Sequence, residues 1–225
     1  MTARPSVLVF DVNETLIDID SLAPLFESIF GDRQVLREWF GQLIMYSMAA
    51  TLSGVYVDFF TLGQGVLRMV GETHSVDVSE NDLSGIREHM LTMPAHPDVE
   101  EGLTTLRDNG FRLVTLTNSP PNPGGVSPLQ HAGLGPLFEH QLSVDAVGRF
   151  KPAREVYDGV CRELDVAADQ CMMVAAHVWD TVGAQSAGFA GALITRPGNA
   201  PLRVEGLPQP TVIARDLIDL AAQLS

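Results

Sequence analysis

Short apolar runs alternate with helical patterns along most of this chain, and the alternation constrains its fold more than any other feature. The first run, residues 6–10, has the composition of a strand that is buried on both faces. After Pro97, strand-like runs and amphipathic helical stretches follow one another towards the end of the chain. Such alternation predicts an α/β fold with a Rossmann-like parallel sheet core and helices on both faces.

A long stretch without strand signals interrupts this alternation after the first strand. Apolar residues recur there at helical spacing, for example at Leu22, Leu25, Phe26 and Phe30. We expect three or four helices in this stretch, forming an inserted helical cap. The predicted division is an α/β core domain made of residues 1–15 and 97–225, and a helical cap domain made of residues 16–96.

The charge balance excludes several kinds of partner. The chain carries 14 Lys and Arg residues against 28 Asp and Glu residues, a net charge of −14. A nucleic-acid-binding surface needs a basic stripe, and an anionic membrane surface also attracts basic residues. We therefore expect neither nucleic acid nor a membrane as a partner, and we expect a cytoplasmic protein that acts on a small molecule.

Polar residues gather where four of the predicted strands or their following loops end. They lie in residues 11–15, 117–119, 149–152 and 177–180. Any one group has an ordinary explanation as a helix cap or a turn. Ligands of open parallel sheets, however, bind beyond the carboxyl ends of the strands. The four groups together favour a catalytic site, because they would bring a carboxylate, a hydroxyl and amide, an amine and a second carboxylate to one edge of the sheet.

Three of these groups contain short motifs: Phe10-Asp11-x-x-x-Thr15-Leu16, Leu116-Thr117-Asn118 and Lys151-Pro152. Their order and spacing resemble the nucleophile, second and third motifs of the haloacid dehalogenase (HAD) superfamily. Within it, Ser143-Val144-Asp145-Ala146-Val147 and Trp179-Asp180-x-x-Gly183-Ala184 are similar to segments of the type II L-2-haloacid dehalogenases.

This resemblance implies a hydrolytic dehalogenase of short 2-halo carboxylic acids, which would convert a haloacid or haloacetate into a hydroxy acid. The reaction would pass through an aspartyl ester and would use no cofactor and no metal. The partner it implies is a small organic acid. The resembled enzymes are often dimers, so the resemblance leaves a homodimer open.

Five residues are candidates for catalysis, and the resemblance implies the roles of four of them. Asp11 would be the covalent nucleophile, and Lys151 would keep it ionised, because an opposite charge lowers a carboxyl pKa. Thr15 would donate a hydrogen bond at the nucleophile, and Asp180 would hold Lys151 and position water. His177 has the pKa range of a base for ester hydrolysis, although a hydrogen-bonded histidine at a helix start explains it equally well.

Six further residues are candidates for substrate binding. Thr117 and Asn118 would bind the substrate carboxylate or the leaving halide, and the other four residues would shape the pocket. Ordinary cap or core packing is the alternative for the aromatic ones. The six are Thr117, Asn118, Asn13, Phe40, Phe60 and Trp179.

A Mg²⁺-dependent HAD-type phosphatase acting on a small phosphate ester is the alternative function. Phosphatases of the superfamily carry a second aspartate two residues after the nucleophile, where this chain has Asn13. They also carry a further acidic residue in the stretch that reads Ala175-Ala176-His177 here. Both differences point away from Mg²⁺ chemistry. Glu14 is the one additional carboxylate close to the motif and is the candidate ligand for a weak metal site. A non-catalytic relative that binds a small anion or a protein is a third reading.

One departure concerns the cap. The resembled dehalogenases usually carry an arginine just after a tryptophan on the first long cap helix, and here Trp39 is followed by Phe40. Arg37 lies close in sequence but at helical spacing points about 60° away from that position. Arg37 could take over the role only if the helix is rotated.

Overall fold

The computed structural model describes residues 4–122 and 125–225. In this part of the chain six strands form one sheet, in the order β3-β2-β1-β4-β5-β6, and every neighbouring pair is parallel. The predicted α/β, Rossmann-like parallel sheet is confirmed. The strands are β1 (Val7–Phe10), β2 (Arg112–Thr117), β3 (His140–Ser143), β4 (Cys171–Ala175), β5 (Ala190–Ile194) and β6 (Val212–Ala214).

Strand β1 occupies the middle of the sheet, between β2 and β4. All four of its residues are buried, as expected of a strand covered on both faces. Because these three strands are parallel, their carboxyl ends meet at one edge, and Asp11 follows β1 at that edge.

The helices are α1 (Ala23–Phe30), α2 (Val35–Leu52), α3 (Phe59–His74), α4 (Glu80–Met90), α5 (Val99–Asp108), α6 (Pro128–His131), α7 (Arg154–Leu164), α8 (Val178–Ser186) and α9 (Leu217–Gln223).

Helices α1–α4 follow β1 without an intervening strand, as the apolar spacing predicted. They occupy most of residues 16–96, which we call the cap segment. Local signals set their ends: α1 stops at Gly31, which adopts φ 74°, and Asp58 caps α3 by accepting hydrogen bonds from two backbone amides. Side chains of α2 and α3 pack together, and Trp39 on α2 donates a 3.0 Å hydrogen bond to the Gly63 carbonyl.

Two elements differ from the sequence-based expectation. Strand β6 was not predicted, because it has three residues and pairs at the edge of the sheet with β5 alone. The sequence pattern predicts a helix over residues 181–187, but α8 begins three residues earlier, at Val178. The earlier start puts His177 at the N-cap position and Asp180 in the first turn, so both side chains lie at the end of β4.

Among the described helices, none is both long enough and apolar enough to cross a membrane.

Candidate active site

The ammonium group of Lys151 joins the two predicted catalytic aspartates. Its Nζ atom donates hydrogen bonds to Asp11 Oδ1 at 2.8 Å, to Asp180 Oδ2 at 2.6 Å and to the Leu116 carbonyl at 2.9 Å. Lys151 is completely buried, so these bonds replace the water that a lysine normally keeps. The structure therefore brings together three residues that the sequence separates by long distances.

The charges of this cluster favour an ionised Asp11. Burial by itself raises the pKa of Asp11, but the charge and hydrogen bond of Lys151 and the charge of the nearby His177 outweigh burial and hold that pKa well below its usual range. For Asp180, burial and the nearby Asp11 charge raise the pKa despite Lys151. Asp11 is thus the carboxylate that stays charged, as a nucleophile must.

Helix α7 adds a residue that sequence reasoning missed. The Tyr157 hydroxyl donates a 2.7 Å hydrogen bond to Asp180 Oδ1, and this fixes the carboxylate that holds Lys151. Burial and the Asp180 charge raise the pKa of Tyr157 well above its usual value, so the phenol remains a donor. Gly183 makes this packing possible, because a Cβ there would lie 2.4 Å from Pro152 Cβ and 2.8 Å from the Tyr157 hydroxyl.

Thr15 lies on the other oxygen of the nucleophile. Its hydroxyl donates to Asp11 Oδ2 at 2.7 Å and accepts from the Ala176 amide at 2.9 Å. Arg196, a second missed residue, donates from Nε and Nη2 to the Thr15 carbonyl at 3.1 and 2.9 Å. Both oxygens of Asp98 accept from the same guanidinium. Arg196, which lies in the irregular stretch after β5, therefore holds the loop after Asp11 in place from a buried position.

His177 forms a pair with Glu14. Its Nε2 atom lies 2.7 Å from Glu14 Oε2, while Nδ1 lies 3.4 Å from Asp11 Oδ2 without the alignment of a hydrogen bond. Nδ1 finds no hydrogen-bond partner in residues 4–122 and 125–225. Burial lowers the pKa of His177, but the two carboxylates outweigh burial and raise it to about 9. The imidazole is therefore protonated at neutral pH while both carboxylates are charged.

Glu14 holds an uncommon backbone conformation for a side chain of its size. Its φ is 68°, in the left-handed region, which costs a non-glycine residue roughly 1–2 kcal/mol. The surroundings compensate: His96 contacts the Glu14 carbonyl at 3.0 Å, and Arg37 forms an ion pair with Glu14 Oε1. The Glu14 carboxylate, predicted as a candidate ligand of a weak metal site, is instead paired with His177 and Arg37. Arg37, considered as a replacement for the cap arginine, binds Glu14 and Asp20 instead.

The second motif contributes through two side chains. Asn118 Oδ1 accepts a 3.1 Å hydrogen bond from the Lys151 amide, so it positions the chain that carries the lysine. Thr117 Oγ1 accepts from the Ser119 amide at 3.1 Å. Asn13 donates from Nδ2 to Ser119 Oγ at 3.3 Å, which links the nucleophile loop to the end of β2.

A cavity of about 330 Å³ opens beside this edge of the sheet. Val12 and Asn13, the two residues that follow Asp11, line this cavity, so it lies next to the nucleophile loop. The cap segment lines it with Phe60 and Met90, and the core lines it with residues that include Thr117 and Ser119. Three of the predicted substrate-binding residues, Asn13, Phe60 and Thr117, thus share one cavity.

Phe40 and Trp179 lie elsewhere, on the His177 ring. The Trp179 ring stacks on it with centroids 5.1 Å apart, and the Phe40 ring is tilted against it at 5.8 Å. Because Phe40 occupies the position expected for the cap arginine, an aromatic face replaces a cation next to His177.

The sequence profile of the haloacid dehalogenase-like hydrolases matches residues 5–188 of this chain. This chain belongs to that family. An (S)-2-haloacid dehalogenase from Pseudomonas sp. strain YL is 28% identical over 194 residues, which covers 85% of this chain and 83% of that protein. The haloacetate dehalogenase H-2 of Moraxella sp. strain B is 26% identical over 214 residues, covering 94% and 95%. A crystal structure of an L-2-haloacid dehalogenase matches with a TM-score of 0.91 and 28% identity, covering 99% of both chains.

Some members of the HAD superfamily use Mg²⁺, and the donor set of this hydrolase does not fit that ion. Mg²⁺ prefers several hard oxygen ligands. Here the Lys151 ammonium already lies between the two carboxylates that would coordinate it, within 2.8 Å of each. The third carboxylate, Glu14, is paired with His177 and Arg37. Among the described residues, no group of three or more His, Cys, Asp and Glu side chains is arranged to hold a metal ion.

Proposed function

We propose that this hydrolase cleaves the carbon–halogen bond of short 2-halo carboxylic acids through an ester of Asp11. One observation carries the proposal: the Asp11 carboxylate lies at the central strand end, with Lys151 on one oxygen and Thr15 on the other. Two similar proteins bear the names of a 2-haloacid and a haloacetate dehalogenase, and this supports the same substrate class.

In the first half-reaction, one Asp11 oxygen attacks C2 of the substrate. The new C–O bond forms as the C–halogen bond breaks, and halide leaves with the bonding electrons. Lys151 and Thr15 hold the carboxylate plane in place, so the attacking oxygen is oriented before the substrate arrives. Asn118 and Thr117 stand at the neighbouring strand end, and we assign them the substrate carboxylate or the leaving halide.

In the second half-reaction, water attacks Cγ of the Asp11 ester. The tetrahedral intermediate collapses to the 2-hydroxy acid and the Asp11 carboxylate, which retains one oxygen from water. Esterification removes the Asp11 charge that helped to keep His177 protonated, so the pKa of His177 falls when the intermediate forms. The imidazolium then releases one proton to solvent, and the neutral imidazole, held by Glu14, takes a proton from the attacking water and passes it to the departing alkoxide oxygen. The new Asp11 carboxyl group afterwards gives its proton back to the imidazole.

The cavity and the aromatic rings define the substrate's surroundings in this proposal. Asn13 and Phe60 line the cavity beside the nucleophile loop, so we assign them the carbon chain of the acid. Phe40 and Trp179 enclose His177 and keep bulk water from the ester. The cap segment would act as a domain separate from the core. A cytoplasmic location and a homodimer stay predictions.

The test is halide release from chloroacetate, fluoroacetate and L-2-chloropropionate with EDTA present. We expect release by the wild type, and a loss of about 10⁴-fold or more in Asp11→Asn, because an amide is a poor nucleophile. Asp108→Asn, on an exposed side chain, is the matched control and should keep full activity. A single turnover in ¹⁸O-water should place the label in the Asp11 peptide.

Two results would count against this function. One is label confined to the product, which would exclude the aspartyl ester. The other is no halide from any of the three acids together with Mg²⁺-dependent hydrolysis of a phosphate ester, which would favour the phosphatase.

A further inference from the structure

We propose that Arg37 is a positioning residue for the hydrolysis of the Asp11 ester: it reaches from the cap segment to the nucleophile loop and holds the Glu14 carboxylate against His177. The inference rests on the function proposed above. Nothing in the mechanism so far uses Arg37, although its guanidinium is the charged group of α2 that contacts the loop carrying Glu14.

The contacts form a continuous chain of charges. Arg37 binds Oε1 of Glu14, and His177 Nε2 lies 2.7 Å from Oε2 of the same carboxylate. On its other side, His177 Nδ1 faces Asp11 Oδ2 at 3.4 Å. Since each oxygen of Glu14 has its own partner, the carboxylate can rotate only by breaking one of the two contacts.

Because the Glu14 side chain is buried, its charge depends on the ion pair with Arg37. The Glu14 side chain is 4% exposed, and a buried carboxylate without a partner is unfavourable. Burial raises the pKa of Glu14, but His177 and Arg37 outweigh burial and lower it, so the carboxylate stays charged. Without Arg37, Glu14 would depend on His177 alone, at the step in which His177 must exchange a proton.

The same contacts separate Arg37 from the first half-reaction. Lys151 and Thr15 hold Asp11, and His177 faces it. Within residues 4–122 and 125–225, Arg37 makes no hydrogen bond or ion pair with these three side chains. The other partners of Arg37 are Asp20 at 2.9 Å and the Pro197 carbonyl at 3.5 Å. Removing Arg37 should therefore leave formation of the ester intact and slow its hydrolysis.

Placement on α2 adds a conformational requirement. Arg37 belongs to the cap segment, whereas Glu14 lies in the loop after β1, so their ion pair exists only when the cap segment lies against the core. In this arrangement of the cap segment and the core, His177 therefore faces a fixed Glu14 carboxylate.

The experiment compares Arg37→Met with the wild type in rapid-quench and steady-state assays on L-2-chloropropionate. We expect the first-turnover halide burst to change by less than about twofold and steady-state turnover to fall about 10- to 100-fold, as when an outer partner of a reacting group is lost. The Asp11 ester should accumulate, visible as a mass increase of the Asp11 peptide. Arg37→Lys, which keeps the charge, should restore part of the steady-state rate.

Asp20→Asn is the matched control, because it removes the other carboxylate on Arg37 without touching Glu14, and it should behave as wild type. In a His177→Asn background, Arg37→Met should have no further effect on ester hydrolysis, because the two residues act through one chain of contacts.

Three outcomes would overturn the inference. They are an unchanged steady-state rate in Arg37→Met, a burst that falls together with the steady-state rate, and full additivity with His177→Asn. The wild type separates the two proposals: without halide release from the wild type the dehalogenase function itself fails, whereas normal first-turnover halide release with an unaffected Arg37→Met removes only the inference.

Discussion

Nε2 of His177 lies 2.7 Å from Oε2 of Glu14, although 163 residues separate the two along the chain. The backbone of Glu14 has the unfavourable left-handed conformation where its side chain makes this contact. The imidazole lies between Glu14 and Asp11 and makes no other hydrogen bond in the described part of the chain. Backbone strain of this kind persists where surrounding contacts enforce it, and such positions cluster at functional sites.

The pKa of His177 predicts a pH-dependent contribution to stability. It is about 9 in the folded protein against 6.5 for the ordinary side chain, because Asp11 and Glu14 face it directly, with Lys151 beyond Asp11 and Arg37 beyond Glu14. A group whose pKa is higher in the folded than in the unfolded protein stabilises the folded state fully at pH values below its unfolded pKa. This stabilisation is lost as the pH rises through the folded pKa. The contribution, about 3 kcal/mol, should be complete below pH 6.5 and gone above pH 9.

The measurement is urea unfolding of wild type and His177→Gln at several pH values across this window. The difference in free energy of unfolding should shrink steadily as pH increases. A difference that stays constant from pH 6 to pH 9.5 would contradict the assignment of a protonated His177.

Tyr157→Phe tests whether Asp180 needs its hydroxyl partner. The change removes a 2.7 Å hydrogen bond to a buried carboxylate, and hydrogen bonds to charged groups contribute about 1.5–3 kcal/mol. We expect a loss of stability of that size and a lower halide-release rate, because Asp180 is then freer to move away from Lys151.

Chemical unfolding and steady-state assays on Tyr157→Phe would check this expectation. Tyr46→Phe, on an exposed part of α2, is the control and should lie close to wild type. Equal stability of Tyr157→Phe and wild type would mean that the hydroxyl does not restrain Asp180.

Gly183→Ala tests the close approach of α8 to the segment that carries Lys151. A Cβ at this position would lie 2.4 Å from Pro152 Cβ, so one of the two elements must move, and overpacking of this kind costs about 1–3 kcal/mol. Because the movement displaces Lys151 from Asp180, activity should fall as well.

Gly41→Ala is the matched control for the Gly183 variant. Nothing lies within 4 Å of the added Cβ, and Gly41 is inside α2, where alanine is the better helix former by up to about 1 kcal/mol. The two variants should therefore change the unfolding free energy in opposite directions. A stabilised Gly183→Ala protein would refute the tight contact.

The sequence by itself determined the parallel α/β core, the helical stretch after β1 and the strand ends that carry Asp11, Asn118 and Asp180. These features follow from local patterns: strand and helix periodicities are read within short windows, and parallel strands place their carboxyl ends at one edge. Lys151 and Thr15 were predicted from the resemblance of their motifs to those of the HAD superfamily.

Only the tertiary structure decided which side chains complete the site. Tyr157, Arg196 and Arg37 sit in stretches with ordinary helical or loop composition, and no local signal marks the carboxylate or carbonyl that each one binds. The partner of His177 was equally hidden, since Glu14 reads as one more acidic residue in an acidic chain. Such pairs arise when the fold buries charges that are distant in sequence, because a buried charge must find a partner and the packing of the elements decides which one is within reach.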